Sequence, residues 1–125
     1  MKDVVLVFIG GGLGSVCRYM LGRWVNTFHA HHFPFGTFAV NVVACFALGA
    51  ILGFIAQKEM FPSATKIFLA VGFCGGFSTF STFSHESVVL FQQGHYVSLT
   101  AYILLSVVLC IAATLSGLYL AEKLI

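Results

Sequence analysis

Charge is scarce in this sequence. Charged residues make up 8% of the 125 positions, against about 25% in a soluble domain, so most of the surface of the folded chain cannot face water. No basic cluster is present. Lys2, Arg18, Arg23, Lys58, Lys66 and Lys123 are scattered, and the net charge is +2 with the histidines neutral. That excludes an electrostatic nucleic-acid surface and a polybasic patch for anionic lipid. Paired cysteine spacing is lacking too. Cys17, Cys45, Cys74 and Cys110 fall in four separate apolar stretches without a CxxC, which removes the spacing of a structural zinc site and reads as small apolar packing residues. Proline occurs twice, at Pro34 and Pro62. No nucleophile–base constellation of the kind an enzyme needs is visible.

What is present is apolar. Hydrophobic residues make up 59% and the mean hydropathy is +1.00. Fourteen Phe and thirteen Gly stand out; glycine is frequent where membrane helices pack closely. A spanning helix needs roughly 20 mostly apolar residues. Four such stretches are expected, at about 4–24, 35–56, 65–91 and 97–121, separated by polar breaks around Pro34, Pro62 and Gly94. The first apolar run is too long for a signal peptide and lacks a small-residue cleavage site. The fold expected is an all-α membrane protein, one four-helix transmembrane domain over residues 1–125. Lys2, Lys58, Lys66 and Lys123 lie on the side of the termini, Arg23 and Arg18 toward the other. This bias is weak and permits insertion in either orientation. Four thin helices leave little room for a pathway within one subunit, which favours an oligomer.

Polar residues recur at helical spacing. Ser98, Tyr102, Ser106, Cys110 and Thr114 lie four apart in the last helix, and Thr37, Asn41, Cys45, Gly49 and Gly53 in the second. Such i±4 rows serve either helix packing or a wet path. An amide deep in an apolar helix, as Asn41 is, marks function by default. Arg18 reads either as an interfacial anchor or as part of a charged vestibule. Glu86 divides the same way, between interfacial charge and pore-mouth residue. Arg23 and Trp24 read as interface anchors. His29, His31, His32 and His95 fall in loops, with His85 deeper.

The third stretch carries the most information. Gly72-Phe73-Cys74-Gly75-Gly76-Phe77-Ser78-Thr79-Phe80-Ser81-Thr82-Phe83-Ser84 crowds glycine, the worst helix former after proline, ahead of a repeated Phe-Ser-Thr. A helix broken near 75–79 inside the membrane is expected. Its freed carbonyls and amides must face protein, water or an ion, because lipid satisfies none of them. Beyond the break Phe80 and Phe83 share one helix face beside the hydroxyls of Ser81, Thr82 and Ser84. Ring edges carry partial positive charge, so edge-on rings and hydroxyl donors suit a small hard anion. No fixed cation lies in the stretch to hold that anion too tightly.

At these residues the chain resembles the CrcB, or Fluc, family of fluoride channels over its whole length. Three blocks carry the resemblance: GGGLGSVCRY (Gly10 to Tyr19), FPFGTFAVNVVACFALG (Phe33 to Gly49) and GFCGGFSTFSTFS (Gly72 to Ser84). The resemblance implies an antiparallel dual-topology homodimer in the bacterial plasma (inner) membrane, with two pores and a central structural sodium ion. The sodium would sit on backbone carbonyls matching Gly75 and Ser78. Fluoride would pass along the pair matching Phe80 and Phe83, near Asn41, with a polar track at Ser81, Thr82, Tyr102, Ser106 and Thr114. The activity implied is passive export of cytoplasmic fluoride. Two departures are visible: Ser78 stands where Thr is usual and Ala44 where Gly is usual; Cys110, on the row of the last helix, weakens the polar track at its level. Two rivals are weaker. A proton-coupled exporter wants a buried carboxylate, for which only Glu86 is a candidate, and a haem protein wants histidines inside helices, for which only His85 is.

Overall fold

The computed structural model describes residues 1–29, 32–57 and 61–124; His31, Lys58 and Glu59 lie outside them. The described chain is helical, without strands. It runs as α1 (Lys2–Thr27), α2 (Phe35–Gln57), α3 (63–77), α4 (Phe80–Gln92) and α5 (Tyr96–Lys123). Four stretches are long and apolar enough to cross a membrane: α1, α2, Ser63–Gln92 (α3 and α4 joined) and α5. Each overruns the expected bounds by a few residues, because the polar flanks Asn26-Thr27, Gln92 and Glu122-Lys123 continue the helices outward.

The third crossing is interrupted, at Ser78 and Thr79. α3 opens as an α-helical turn (Ser63–Lys66), widens to π-helical hydrogen bonding over Ile67–Cys74 and tightens again at Gly75–Phe77. Ser78 (φ −78°, ψ 155°) and Thr79 (φ −148°, ψ 114°) are extended. Thr79 then caps α4, its Oγ1 accepting from the Thr82 N–H at 3.3 Å. The glycines crowded ahead of the break are helical. Their role is contact: Gly72 and Gly76 lie against Gly10 and Gly11 of α1, while Gly75 has open space where a side chain would be.

Packing rests on such approaches. A Cβ on Gly14 would run into the Phe73 carbonyl, and one on Gly49 into the Thr114 carbonyl. α1 therefore seats on α3, and α2 on α5, at backbone distance, as membrane helices do in the absence of a hydrophobic force between them. The buried cluster is small: Val40, Ala44 and Phe77, flanked by Leu21 and Phe73. Ala44, the departure from glycine, fills this cluster. Large apolar side chains such as Phe8, Leu104 and Leu115 point outward, the arrangement a lipid-facing surface requires. At one end, the ring of His32 stacks on His95 at 3.8 Å, tying the segment before α2 to the start of α5. His29 and His85 are exposed.

Candidate functional site

The break in the third crossing strands the main-chain N–H of Thr79, while its carbonyl, at the cap position of α4, also stays open to a side-chain donor. Asn41, one turn past Thr37 on α2, meets both. Its Oδ1 accepts from the Thr79 N–H at 2.8 Å, and its Nδ2 donates to the Thr79 carbonyl at 3.1 Å. In a continuous helix the Thr79 N–H would serve the Gly75 carbonyl. Because it turns to Asn41, the Gly75 carbonyl is released from that role. Gly75 itself is exposed. Ser78 donates its hydroxyl to the Cys74 carbonyl at 3.0 Å, leaving its main chain extended beside the opening.

Around this joint lies a groove of about 280 Å³, lined among others by Asn41, Ser78, Phe80, Phe83, Ser106 and Cys110. Its lining holds an anomaly: the Ser106 hydroxyl is buried with no hydrogen-bond partner among the described residues, in a residue only 7% exposed. A second groove of about 360 Å³, toward Ser84, Ser87 and Ile103, has Phe80 and Phe83 as walls as well. The two rings, 5.5 Å apart, thus stand between two spaces. Phe83 leans on Tyr102 at 4.9 Å, and Tyr102 meets Phe33 edge-on at 5.4 Å. Phe80 is 78% exposed.

Tyr102 is fully buried, and its hydroxyl donates to Glu86 at 2.9 Å. Thr37 donates to the other carboxylate oxygen at 2.8 Å. Glu86 is therefore half-buried and held by two hydroxyls. Arg18 is half-buried on another face, in a groove of about 200 Å³ that it shares with Asn26, Thr37, Thr79 and Thr82.

The structure brings Asn41, Ser78, Phe80, Phe83 and Ser106 to one groove, with Tyr102 adjoining through Phe83. It sets other expected residues apart. Thr82 faces the Arg18 groove, Ser81 is exposed, and the Thr114 hydroxyl donates to the Cys110 carbonyl of its own helix at 3.0 Å. Sequence reasoning missed Thr37 and Thr79 as partners. Thr37 was legible as a hydroxyl on the Asn41 row; its pairing with a carboxylate 49 positions away was not. Among the described residues no three His, Cys, Asp or Glu side chains gather as a metal site, so a cation here would depend on main-chain oxygens.

Comparison with known proteins places these features in context. The model of the family described as CrcB-like protein, Camphor Resistance (CrcB), matches residues 5–118. The chain is 39% identical over 124 residues to a Geobacter metallireducens protein named fluoride-specific ion channel FluC, covering 99% of this chain and all of that one. Proteins of the same name from Phocaeicola vulgatus (41% over 122 residues, 98% and 100% covered) and Rhizobium johnstonii (42% over 124 residues, 99% of each) are similar throughout.

Proposed function

The chain belongs to the CrcB family, and from that premise we propose that it is a fluoride-selective channel, acting as an antiparallel homodimer that releases cytoplasmic fluoride down its gradient. It is an integral membrane protein of four apolar spans and, like relatives named ion channels, not an enzyme. The observation that carries the channel reading is the position of Phe80 and Phe83 as shared walls of two grooves, beside a buried hydroxyl that has no partner among the described residues.

A small hard anion gives up much of its water on entering such a space. Ring edges and the Ser106 hydroxyl offer it partial positive charge without a fixed cation. Arg18 faces a different groove, so the anion binds without being trapped. Glu86 holds the donor hydrogens of Thr37 and Tyr102, which fixes the Tyr102 ring against Phe83.

Two further elements of the proposal concern the assembly. Phe80 is mostly uncovered in one chain, and a partner would complete its surroundings; two antiparallel copies would give two equivalent paths. The released Gly75 carbonyl and the extended Ser78 main chain suit a sodium ion, a hard cation that takes oxygen ligands at unwound helix segments. Gly75 is exposed and has open space where a side chain would stand, room for a second copy to approach the break. Sodium would supply structural charge there, holding the break in shape. The setting proposed is the plasma (inner) membrane of a bacterium.

The deciding experiment is fluoride efflux from liposomes carrying the purified protein, with valinomycin, a potassium gradient and chloride as control. Fluoride without chloride efflux, abolished by Phe80→Ile or Phe83→Ile, is the expected result. No efflux from folded dimer would refute the channel. The half-buried Glu86 keeps a proton-coupled exporter in view; fluoride movement that follows an imposed pH gradient and not voltage would establish it instead.

A further inference from the structure

Two cysteines border the groove that holds Ser106. Helices α2 and α5 run parallel, with Gly49 against Thr114 and Gly53 against Leu118 and Ala121. One turn back from Gly49 is Cys45, and one turn back from Thr114 is Cys110. The register therefore sets the two thiols opposite each other where the helices begin to part. Both line the groove. One turn further back, the same register pairs Asn41 with Ser106.

We propose that Cys45 and Cys110 form a two-thiol binding site for a soft metal ion that favours linear coordination, such as Hg²⁺, and that its occupancy closes the groove to anions. The closure half of this rests on the channel reading; the site itself does not. Thiolates select soft ions. A structural zinc site wants four ligands, and among the described residues no third His, Cys, Asp or Glu completes such a set. Two sulfurs do satisfy a linear ion. Ser106, buried and without a partner among the described residues, adds a weak oxygen contact from the groove lining. Binding replaces two S–H bonds by one S–Hg–S bridge and releases two protons, with no change of oxidation state. The bridge ties α2 to α5 and places a heavy atom beside Asn41 and Phe83. Cys17 is exposed on α1 and Cys74 is buried on α3, and each is a control for an alternative pairing.

The test uses the full-length protein in liposomes, treated with mercuric chloride and then with a dithiol chelator. Metal uptake is read by thiolate-to-mercury absorption and by the free-thiol count of the unfolded chain, and fluoride efflux is measured in parallel. The expected result is a fall from four free thiols to two, loss of most efflux, and recovery with chelator. Efflux of Cys45→Ala and of Cys110→Ala, each normalised to its own untreated rate, should resist the metal. Cys17→Ala and Cys74→Ala should respond as the parent does. Mercury uptake and block in the Cys45 or Cys110 variants equal to the parent's would overturn the proposal, as would protection by Cys74→Ala. Should the untreated parent pass no fluoride, the channel reading fails and the closure claim with it. The two-thiol site is then decided by absorption and thiol count alone.

Discussion

Asn41 spends its whole amide on one neighbour, the main chain of Thr79. Replacing it with Ala leaves the Thr79 N–H without a partner where lipid offers none, at about 1–3 kcal/mol. Asn41→Ala should lower the thermal midpoint of the detergent-purified protein well below that of Cys17→Ala, an exposed position. An unchanged midpoint would show that water reaches Thr79 freely. Ser106 is the opposite case, a buried hydroxyl with no partner among the described residues. Under the channel reading Ser106→Ala should slow fluoride efflux while leaving stability within about 0.5 kcal/mol, since no hydrogen bond within the protein is lost; a large loss of stability with normal efflux would assign it to packing. Tyr102→Phe should cost more, because it removes one of two donors to a half-buried carboxylate, and bonds to charged groups contribute about 1.5–3 kcal/mol.

Between helices, the determining contact is backbone against backbone. Gly49 and Gly14 meet carbonyls of the facing helix where any Cβ would stand, whereas Gly12 has nothing nearby. Gly49→Val should therefore force α2 from α5 and abolish the monodisperse peak on size exclusion. Gly12→Ala should leave that peak and the unfolding midpoint nearly unchanged, and could raise the midpoint slightly because alanine is the better helix former. Equal behaviour of the two variants would refute packing by close approach. At this scale part of the third crossing was legible in its residues. Three glycines within five positions predicted a break near 75–79, and a break is present there, at Ser78 and Thr79 just after the glycines. Glycine's two properties, poor helix propensity and small size, predict different things. Here size prevails: Gly72 and Gly76 stay helical because α1 needs the space. The π-helical turns over Ile67–Cys74 had no signal in the residue pattern, since they follow from how α3 must seat on α1.

For the whole molecule, the predictions concern assembly. An antiparallel dimer requires that both orientations exist, so a tag at the N-terminus should be accessible on both faces of the membrane in cells. Labelling from one face only would exclude dual topology. Sodium held by main-chain oxygens at the break should be needed for the dimer. Exchange of sodium for a bulky organic cation should therefore reduce fluoride efflux and lower the unfolding midpoint, and sodium should restore both; indifference to sodium would remove it from the proposal.

Composition and period alone determined that this chain crosses a membrane four times, because 8% charge and 59% apolar residues leave no other solvent for its surface. The polar rows on the second and last helices, the break and the Phe80–Phe83 pair were equally legible, since helical spacing fixes which side chains share a face. Which faces meet was left to the tertiary structure. That Asn41 satisfies Thr79, that Glu86 is held by Thr37 and Tyr102, that Arg18 turns to its own groove, and that Cys45 stands opposite Cys110 depend on the rotation and register of helices distant in sequence. In lipid that register is set by where glycines let backbones touch and where a stranded polar group can find its partner, and both are properties of pairs of helices that no single segment contains.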